Sequence, residues 1–110
     1  MRDEDWMRIV FCTASSVEEA ERIANRLVEG KLAACCNIVP NLKSIYSWEG
    51  KICRDNEVLI IIKTSDYGVD RITSAINEMH SYQLPEIVAV PVVGGSENFM
   101  EWVDANSSER

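Results

Sequence analysis

The sequence predicts an α+β fold in which two helices cover one face of an antiparallel β-sheet. Three observations support this prediction. β-Branched and apolar runs at residues 8–13, 57–64 and 87–93 are typical of strands. Apolar residues recur at spacings of three and four over 17–28 and 69–79, as in amphipathic helices. A glycine-containing turn joins two extended segments in the middle of the chain, which favours a hairpin.

The first helix has the clearest ends of the predicted elements. Ser16 lies three residues before Glu19, the spacing of a capping box in which each side chain satisfies a free backbone N–H. Gly30 predicts the end of the helix, because glycine adopts the left-handed cap conformation at little cost. The apolar stripe that we expect to face the sheet consists of Val17, Ala20, Ile23, Ala24, Leu27 and Val28.

The middle of the chain predicts a long hairpin. Residues 32–39 form one strand-like segment, the Pro-Asn pair at 40–41 turns or kinks the chain, and a second extended segment covers 44–48. The tip lies at 49–51, where glycine supplies the positive φ that the turn needs. The return strand covers 57–64, and its five-residue apolar centre predicts a central strand that is covered on both faces.

The last third of the chain completes the pattern. Ser65 or Asp66 caps the second helix, and the strand at 87–93 contains Pro91, which favours an edge or a strand end because proline donates no backbone hydrogen bond. Ser96 caps a short final helix. Since right-handed crossovers place both main helices on one face, the order β-α-β-β-α-β predicts a ferredoxin-like sandwich with a long hairpin and a short C-terminal helix.

Length and charge limit the classes of function. The 110 residues suit a single domain, residues 1–110, with flexible tails at 1–6 and 105–110. Eighteen acidic against eleven basic residues give a net charge of −7, which disfavours nucleic acid and anionic membranes as partners. No apolar run approaches the roughly twenty residues of a membrane span. The acidic N-terminus is unlike a signal peptide, so we expect a cytoplasmic protein.

Four cysteines and one histidine are the candidates for metal or thiol chemistry. Disulfides are rare in the cytosol, and the absence of C-x-x-C together with a single histidine disfavours a structural zinc site within one subunit. Burial as small hydrophobic side chains is the alternative role for Cys12, Cys35, Cys36 and Cys53. No P-loop, dinucleotide-binding, zinc-protease or nucleophile-elbow motif occurs, and we expect no enzyme activity.

Short runs of residues follow one another in a fixed order from about residue 9 to Trp102. They are VFCTA at 10–14, KLAAC at 31–35 with Asn37, Tyr46, WEGK at 48–51, KT at 63–64, and then His80, Tyr82, Pro85 and Glu86. In this order and spacing they resemble the CutA family of divalent-cation tolerance proteins. The resemblance implies a homotrimer similar in architecture to the PII signal proteins, linked to copper and other divalent metals and without an assigned reaction.

The resemblance also implies a metal site at Cys12, Met79 and His80. Met79 stands where family members with a histidine pair have histidine. Thiolate and thioether sulfur favour Cu(I), and imidazole binds late first-row metals, so a copper ion suits this set although the fold requires no cofactor. Core packing is the alternative for Met79 and Cys12, and a hydrogen bond to a carbonyl or to Glu86 is the alternative for His80.

A second candidate set consists of Cys35, Tyr46, Lys63, Tyr82 and Glu86. On the predicted fold, the ends of the central strands approach the loop after the second helix, with a subunit boundary between them. A cation, a carboxylate and phenol groups around such an inter-subunit cleft suit a small polar ligand. A satisfied polar network, with Lys63 paired to a glutamate, is the alternative.

The predicted function is that of a non-enzymatic homotrimer in divalent metal tolerance. We expect Tyr46 and Trp48 of the hairpin in the trimer interface, because large exposed aromatic side chains usually contact a partner surface. One alternative is a PII-like signalling module that binds a small molecule or a partner protein in the inter-subunit cleft. Another is a structural trimer whose stable assembly is itself the useful property.

Overall fold

The computed structural model describes residues 6–107 and confirms the predicted order of elements. These are β1 (Met7–Ala14), α1 (Val17–Glu29), β2 (Cys35–Trp48), β3 (Lys51–Ser65), α2 (Gly68–Met79), β4 (Ile87–Pro91) and α3 (Glu97–Asn106). The strand order is β2-β3-β1-β4, and every neighbouring pair is antiparallel. Each crossover, through α1 or α2, therefore skips one strand. The α+β class and the ferredoxin-like topology are confirmed.

The main hydrophobic core lies between the two long helices and one face of the sheet. Val10 and Cys12 of β1 and Ile60 and Ile62 of β3 are fully buried there. They pack against the inner faces of α1 and α2. Alternate strand residues share a face and helical residues three or four apart share a stripe, which is why the sequence pattern locates this core. Only the ends of the predicted α1 stripe, Val17 and Val28, are exposed.

The opposite side of the sheet, which we call the open face, is mostly uncovered. Strand alternation and register place on it Ile9, Phe11, Val39, Leu59, Ile61, Val88 and Val90. The helix α3 covers only one end, where Met7 and Val103 form a small second cluster. β3 is a central strand, as predicted, but within one protomer none of the described helices covers its centre on the open face.

β2 and β3 form one continuous long hairpin. The pairing register shifts between Val39 and Leu42, where Asn41 has a φ of +66°, so the predicted kink is a β-bulge rather than a break. At the tip, Glu49 and Gly50 have φ values of +52° and +80°. Positive φ at both central residues is the two-residue turn that matches strand twist. The hairpin makes the protomer elongated, with extents of 48 × 25 × 22 Å.

The ends of α1 differ in detail from the sequence-based expectation. Ser16 Oγ accepts the backbone N–H of Glu19 at 3.1 Å, as predicted. The carboxylate of Glu19, however, accepts the backbone N–H of Ser15 at 3.0 Å instead of returning to Ser16. Gly30 has a φ of −83°, and the left-handed conformation falls on Lys31 with a φ of +58°. The helix therefore ends where expected, but Lys31 and not Gly30 adopts the left-handed conformation.

The start of α2 has no side-chain cap. Its N-cap is Tyr67, Ser65 belongs to β3, and Asp66 Oδ1 accepts the backbone N–H of Tyr67 at 3.0 Å without capping the helix. The prediction of a cap at Ser65 or Asp66 is therefore wrong. The helix is stabilised by packing instead, since Ile72 and Ile76 are fully buried.

The C-terminal part of the described chain consists of β4 and the capped helix α3. β4 ends at Pro91 and lies at a sheet edge, as its proline predicts. Ser96 caps α3, with Oγ accepting the backbone N–H of Phe99 at 3.3 Å. Residues 105–107, which were expected in a tail, belong to α3 and its C-cap, and Ser107 is buried. The other expected tail residues are Trp6, which is half-buried, and 1–5 and 108–110, which lie outside the described residues.

Gly68 opens α2 at a close approach between backbone and side chain. A Cβ at this position would lie 2.3 Å from Thr64 Oγ1 and 2.9 Å from the carbonyl oxygen of Leu32. Thr64 Oγ1 donates a hydrogen bond to that same carbonyl at 2.7 Å. Neither atom can move away without weakening this bond, so the position requires glycine for space.

We expect Gly68→Ala to lower the free energy of unfolding by about 1–3 kcal/mol, the usual effect of overpacking. Gly94→Ala is the matched control, because no heavy atom lies within 4 Å of its Cβ position. Denaturant unfolding of both variants and the parent at equal protomer concentration measures the difference. Equal midpoints for Gly68→Ala and the parent would show that this contact relaxes freely.

Glu19 joins the first turn of α1 to the loop that follows α2. One carboxylate oxygen accepts from the backbone N–H and hydroxyl of Ser15 at 3.0 and 2.8 Å, and from the hydroxyl of Ser81 at 3.1 Å. The other accepts the backbone N–H of Ser81 at 2.8 Å. Burial alone would raise the pKa of Glu19, but these bonds to the ionised form outweigh burial and lower the pKa to about 2. The loop is thus fixed to α1.

We expect Glu19→Gln to destabilise the protein by about 1–3 kcal/mol at pH 7, because the amide cannot accept all four bonds. Since the pKa is depressed in the folded state, the carboxylate stabilises the fold above its ordinary pKa of 4.5. That contribution is lost as the pH falls to about 2. Unfolding measured from pH 7 to pH 2 should show that the difference in free energy of unfolding between the parent and Glu19→Gln becomes smaller. Glu21→Gln, at an exposed position of α1, is the control; a pH-independent difference would contradict the assignment.

Candidate functional site

A cleft of about 680 Å³ lies where the hairpin meets the loop that follows α2. Residues 44–48 of β2 form one wall and residues 81–84 form the other, with Thr13, Glu57 and Glu86 between them. The hairpin supplies its wall because the bulge keeps β2 paired to β3 beyond the body of the sheet. The loop supplies the other because Glu19 holds Ser81 in place. We call this space the hairpin cleft.

Glu57 and Tyr82 are the central polar pair of the hairpin cleft. Tyr82 Oη donates a hydrogen bond of 2.6 Å to Glu57 Oε2. Burial and this bond to a carboxylate together raise the pKa of Tyr82 far above its ordinary value, so the phenol keeps its proton. On the hairpin, Tyr46 Oη donates to Asp55, and this bond raises the pKa of Tyr46 to about 12. Both phenols therefore act as donors to carboxylates.

His80 lies beside the cleft with a buried side chain and both ring nitrogens engaged. Nδ1 accepts the backbone N–H of Tyr82 at 3.0 Å, so Nε2 carries the proton and donates to the carbonyl oxygen of Thr13 at 2.7 Å. Glu19 Oε2 lies 3.6 Å from Nδ1. The imidazole thus links the α2–β4 loop to the end of β1 and has no lone pair free for a metal ion in this arrangement.

Two of the three residues of the expected metal set, Cys12 and His80, lie near the same backbone carbonyl oxygen. Cys12 is buried, and its Sγ lies 3.6 Å from the carbonyl oxygen of Thr13, the same atom that His80 contacts. Burial, with smaller contributions from Glu86 and other acids, raises the pKa of the Cys12 thiol to about 12. Met79 packs against the hydrophobic core.

No group of three or more His, Cys, Asp or Glu side chains suited to a metal ion occurs within residues 6–107. Coordination at Cys12 and His80 would require a thiolate that burial disfavours and the loss of one imidazole hydrogen bond. In this arrangement Met79 packs against the core and His80 contacts a backbone carbonyl, and the metal site stays a prediction.

The second candidate set is divided between two places. Tyr46, Tyr82 and Glu86 line the hairpin cleft. Cys35 and Lys63 pair across β2 and β3 on the open face instead, where Lys63 Nζ donates to Asn37 Oδ1. The alternative for Lys63, a pair with a glutamate, does not describe its contact here, since its ammonium donates to Asn37 on the neighbouring strand.

Sequence reasoning did not assign Glu57 and Thr13 to the site. Glu57 is a charged residue that shares a strand face with Leu59 and Ile61, and a lone acid at the end of an apolar face is a usable signal. Thr13 contributes through its backbone carbonyl, so no side-chain pattern could have indicated it.

Comparisons with known proteins agree on one family. The family described as "CutA1 divalent ion tolerance protein" matches residues 8–106. The chloroplastic protein CutA of Arabidopsis thaliana is 43% identical over 86% of this chain, and this chain spans about half of that relative (52%). The divalent-cation tolerance protein CutA of Thermus thermophilus is 40% identical over 90% of this chain and 96% of the relative.

A solved structure of a CutA protein has the same fold as this chain. The structure described as the periplasmic divalent cation tolerance protein CutA from Archaeoglobus fulgidus superposes with a TM-score of 0.89 at 44% identity. The alignment covers 92% of this chain and 98% of that one. Sequence and fold therefore agree over nearly the whole chain, and the chain belongs to the CutA1 divalent ion tolerance protein family.

Proposed function

We propose that this chain is a non-enzymatic homotrimer that acts in tolerance to divalent cations, with copper as the first ion to test. The observation that carries the proposal is family membership over residues 8–106, together with an open face that one protomer leaves uncovered. The tolerance function is proposed because relatives of this chain are described as divalent-cation tolerance proteins. The open face supports assembly.

The open face supports assembly because it is apolar and broad. Phe11 and Leu59 lie at its centre, and Val88 and Val90 at its β4 edge are exposed in the protomer. Contiguous apolar patches of this kind are uncommon on monomers and mark association sites. Trp48, on the projecting hairpin, is also exposed and extends the surface available to a neighbouring copy.

The thiol and imidazole geometry supports a protein without covalent catalysis. A Cys–His nucleophile needs a thiolate or an adjacent free base. Here the pKa of the Cys12 thiol is raised to about 12, and both nitrogens of His80 are engaged. The cysteines Cys35, Cys36 and Cys53 are free as well, which suits a reducing compartment such as the cytoplasm. Within residues 6–107, no helix has the length and apolarity to cross a membrane.

A second candidate function is binding of a small molecule, as in a signalling module. The observation that favours it is the hairpin cleft, whose 680 Å³ falls within the usual range of small-molecule sites.

We expect the parent chain to give a mass three times 12.4 kDa by light scattering at micromolar concentration. Val88→Asp, at an exposed position of the open face (52% exposed), should reduce the mass because it places a charge in the apolar contact. Val93→Asp is the control, since Val93 is 90% exposed and lies beyond β4. A monomeric parent, or equal masses for both variants, would contradict assembly through the open face.

We expect the chain to restore growth of cells that lack their own family member at inhibitory copper concentrations. Val88→Asp should lose this effect if the assembled form is active. Cys12→Ala should retain most of it, because burial raises the pKa of the Cys12 thiol to about 12 and both ring nitrogens of His80 are engaged. Growth curves over graded copper, zinc and cobalt measure both. Absence of rescue with every metal would overturn the tolerance function, and loss of rescue in Cys12→Ala alone would restore the copper-ligand role.

A further inference from the structure

We propose that the hairpin cleft binds a small alkylammonium ion, with the carboxylate of Glu57 as the charge partner and aromatic rings as the walls. This inference rests on the second candidate function, small-molecule binding in the hairpin cleft, and names the chemical class of the ligand. It depends on three features of the described residues: a buried acid without a basic partner, aromatic walls, and a volume that suits an organic molecule.

Glu57 is the first feature. It is only 8% exposed, and its hydrogen bond comes from the neutral phenol of Tyr82. No Lys, Arg or His side chain lines the cleft, and no ion pair to Glu57 occurs in the part of the chain that the structure describes. Burying a carboxylate is costly unless a positive charge or several donors compensate it. Glu57 has one donor and adjoins a cavity, which points to a cationic ligand.

The walls are the second feature. The side chains of Tyr46, Trp48 and Tyr82 line the cleft on both sides. The negative faces of such rings attract an ammonium group, and the attraction grows when water is excluded. Ile45 and Leu84 add apolar surface for an alkyl chain. Glu86 adds a second negative charge at the rim, which further disfavours anions.

Volume and ligand count separate an organic cation from a metal ion. A divalent metal ion needs several oxygen, nitrogen or sulfur ligands within about 2.0–2.6 Å. No such group of three occurs within residues 6–107, whereas the cleft offers about 680 Å³ with carboxylate and aromatic surface combined. Organic ligands occupy sites of 300–1,000 Å³ that are mostly apolar with a few polar groups. An alkylammonium ion suits both the volume of the cleft and its combination of carboxylate and aromatic surface.

Three probes of nearly equal size separate charge from apolar contact. Isothermal titration at low ionic strength compares n-pentylammonium chloride, 1-pentanol and sodium pentanoate with the parent chain. We expect the ammonium to bind at least tenfold more tightly than the alcohol, and the carboxylate to show no binding. Equal affinity for ammonium and alcohol would reduce the site to an apolar contact and overturn the proposal.

Glu57→Gln tests the charge partner directly. Its amide oxygen can still accept the hydrogen bond from Tyr82, so the cleft keeps its shape while the charge is lost. We expect at least a tenfold loss of pentylammonium affinity. Glu101→Gln is the matched control, because Glu101 is exposed on α3 and outside the cleft lining, yet the net charge changes equally. Equal losses in both variants would show a general charge effect and overturn the proposal.

Trp48→Ala supplies a second variant that acts on the aromatic wall and should also weaken pentylammonium binding. Light scattering on the same samples keeps this result separate from assembly. A protein that is trimeric yet binds no ammonium would overturn the proposal and leave the assembly standing. Failure of metal tolerance with intact ammonium binding would overturn the tolerance function and leave the ammonium site standing.

Discussion

The carboxylate of Glu19 is the interaction on which the arrangement of the site depends. It connects the start of α1 to Ser81 through four hydrogen bonds and lies beside the imidazole of His80. His80 in turn holds the end of β1 through the carbonyl of Thr13. With its first two residues held in this way, the loop presents the phenol of Tyr82 to the hairpin. One buried charge therefore determines where the loop wall of the cleft stands.

Two buried acids in this protein have opposite local environments. Glu19 receives four hydrogen bonds, and the pKa of Glu19 is held near 2. Glu57 receives one, from a phenol that is itself neutral. A carboxylate surrounded by backbone and hydroxyl donors is complete as a structural element, whereas a carboxylate with one donor beside a cavity has unused capacity. This difference, more than any motif, distinguishes the structural part of the site from the part that can meet a ligand.

The fold was predictable from the sequence because periodicity is a local signal. The α1 stripe, the edge position of Pro91 and the glycine turn at the hairpin tip depend on neighbouring residues alone. The site was only partly predictable. Cys12 and His80 do converge, but on the carbonyl of Thr13, and Lys63 found Asn37 across the strand pair. Such contacts depend on backbone groups and on register between distant segments, which spacing along the chain does not encode.

The proline at the end of β4 has a consequence for aggregation at the edge of the sheet. A free sheet edge is a template on which further strands can add, and unlimited addition leads to fibres. At this edge an incoming strand meets only five residues, and the last of them, Pro91, offers no N–H. The short length of β4 and the missing N–H of Pro91 both disfavour the addition of a further strand at this edge.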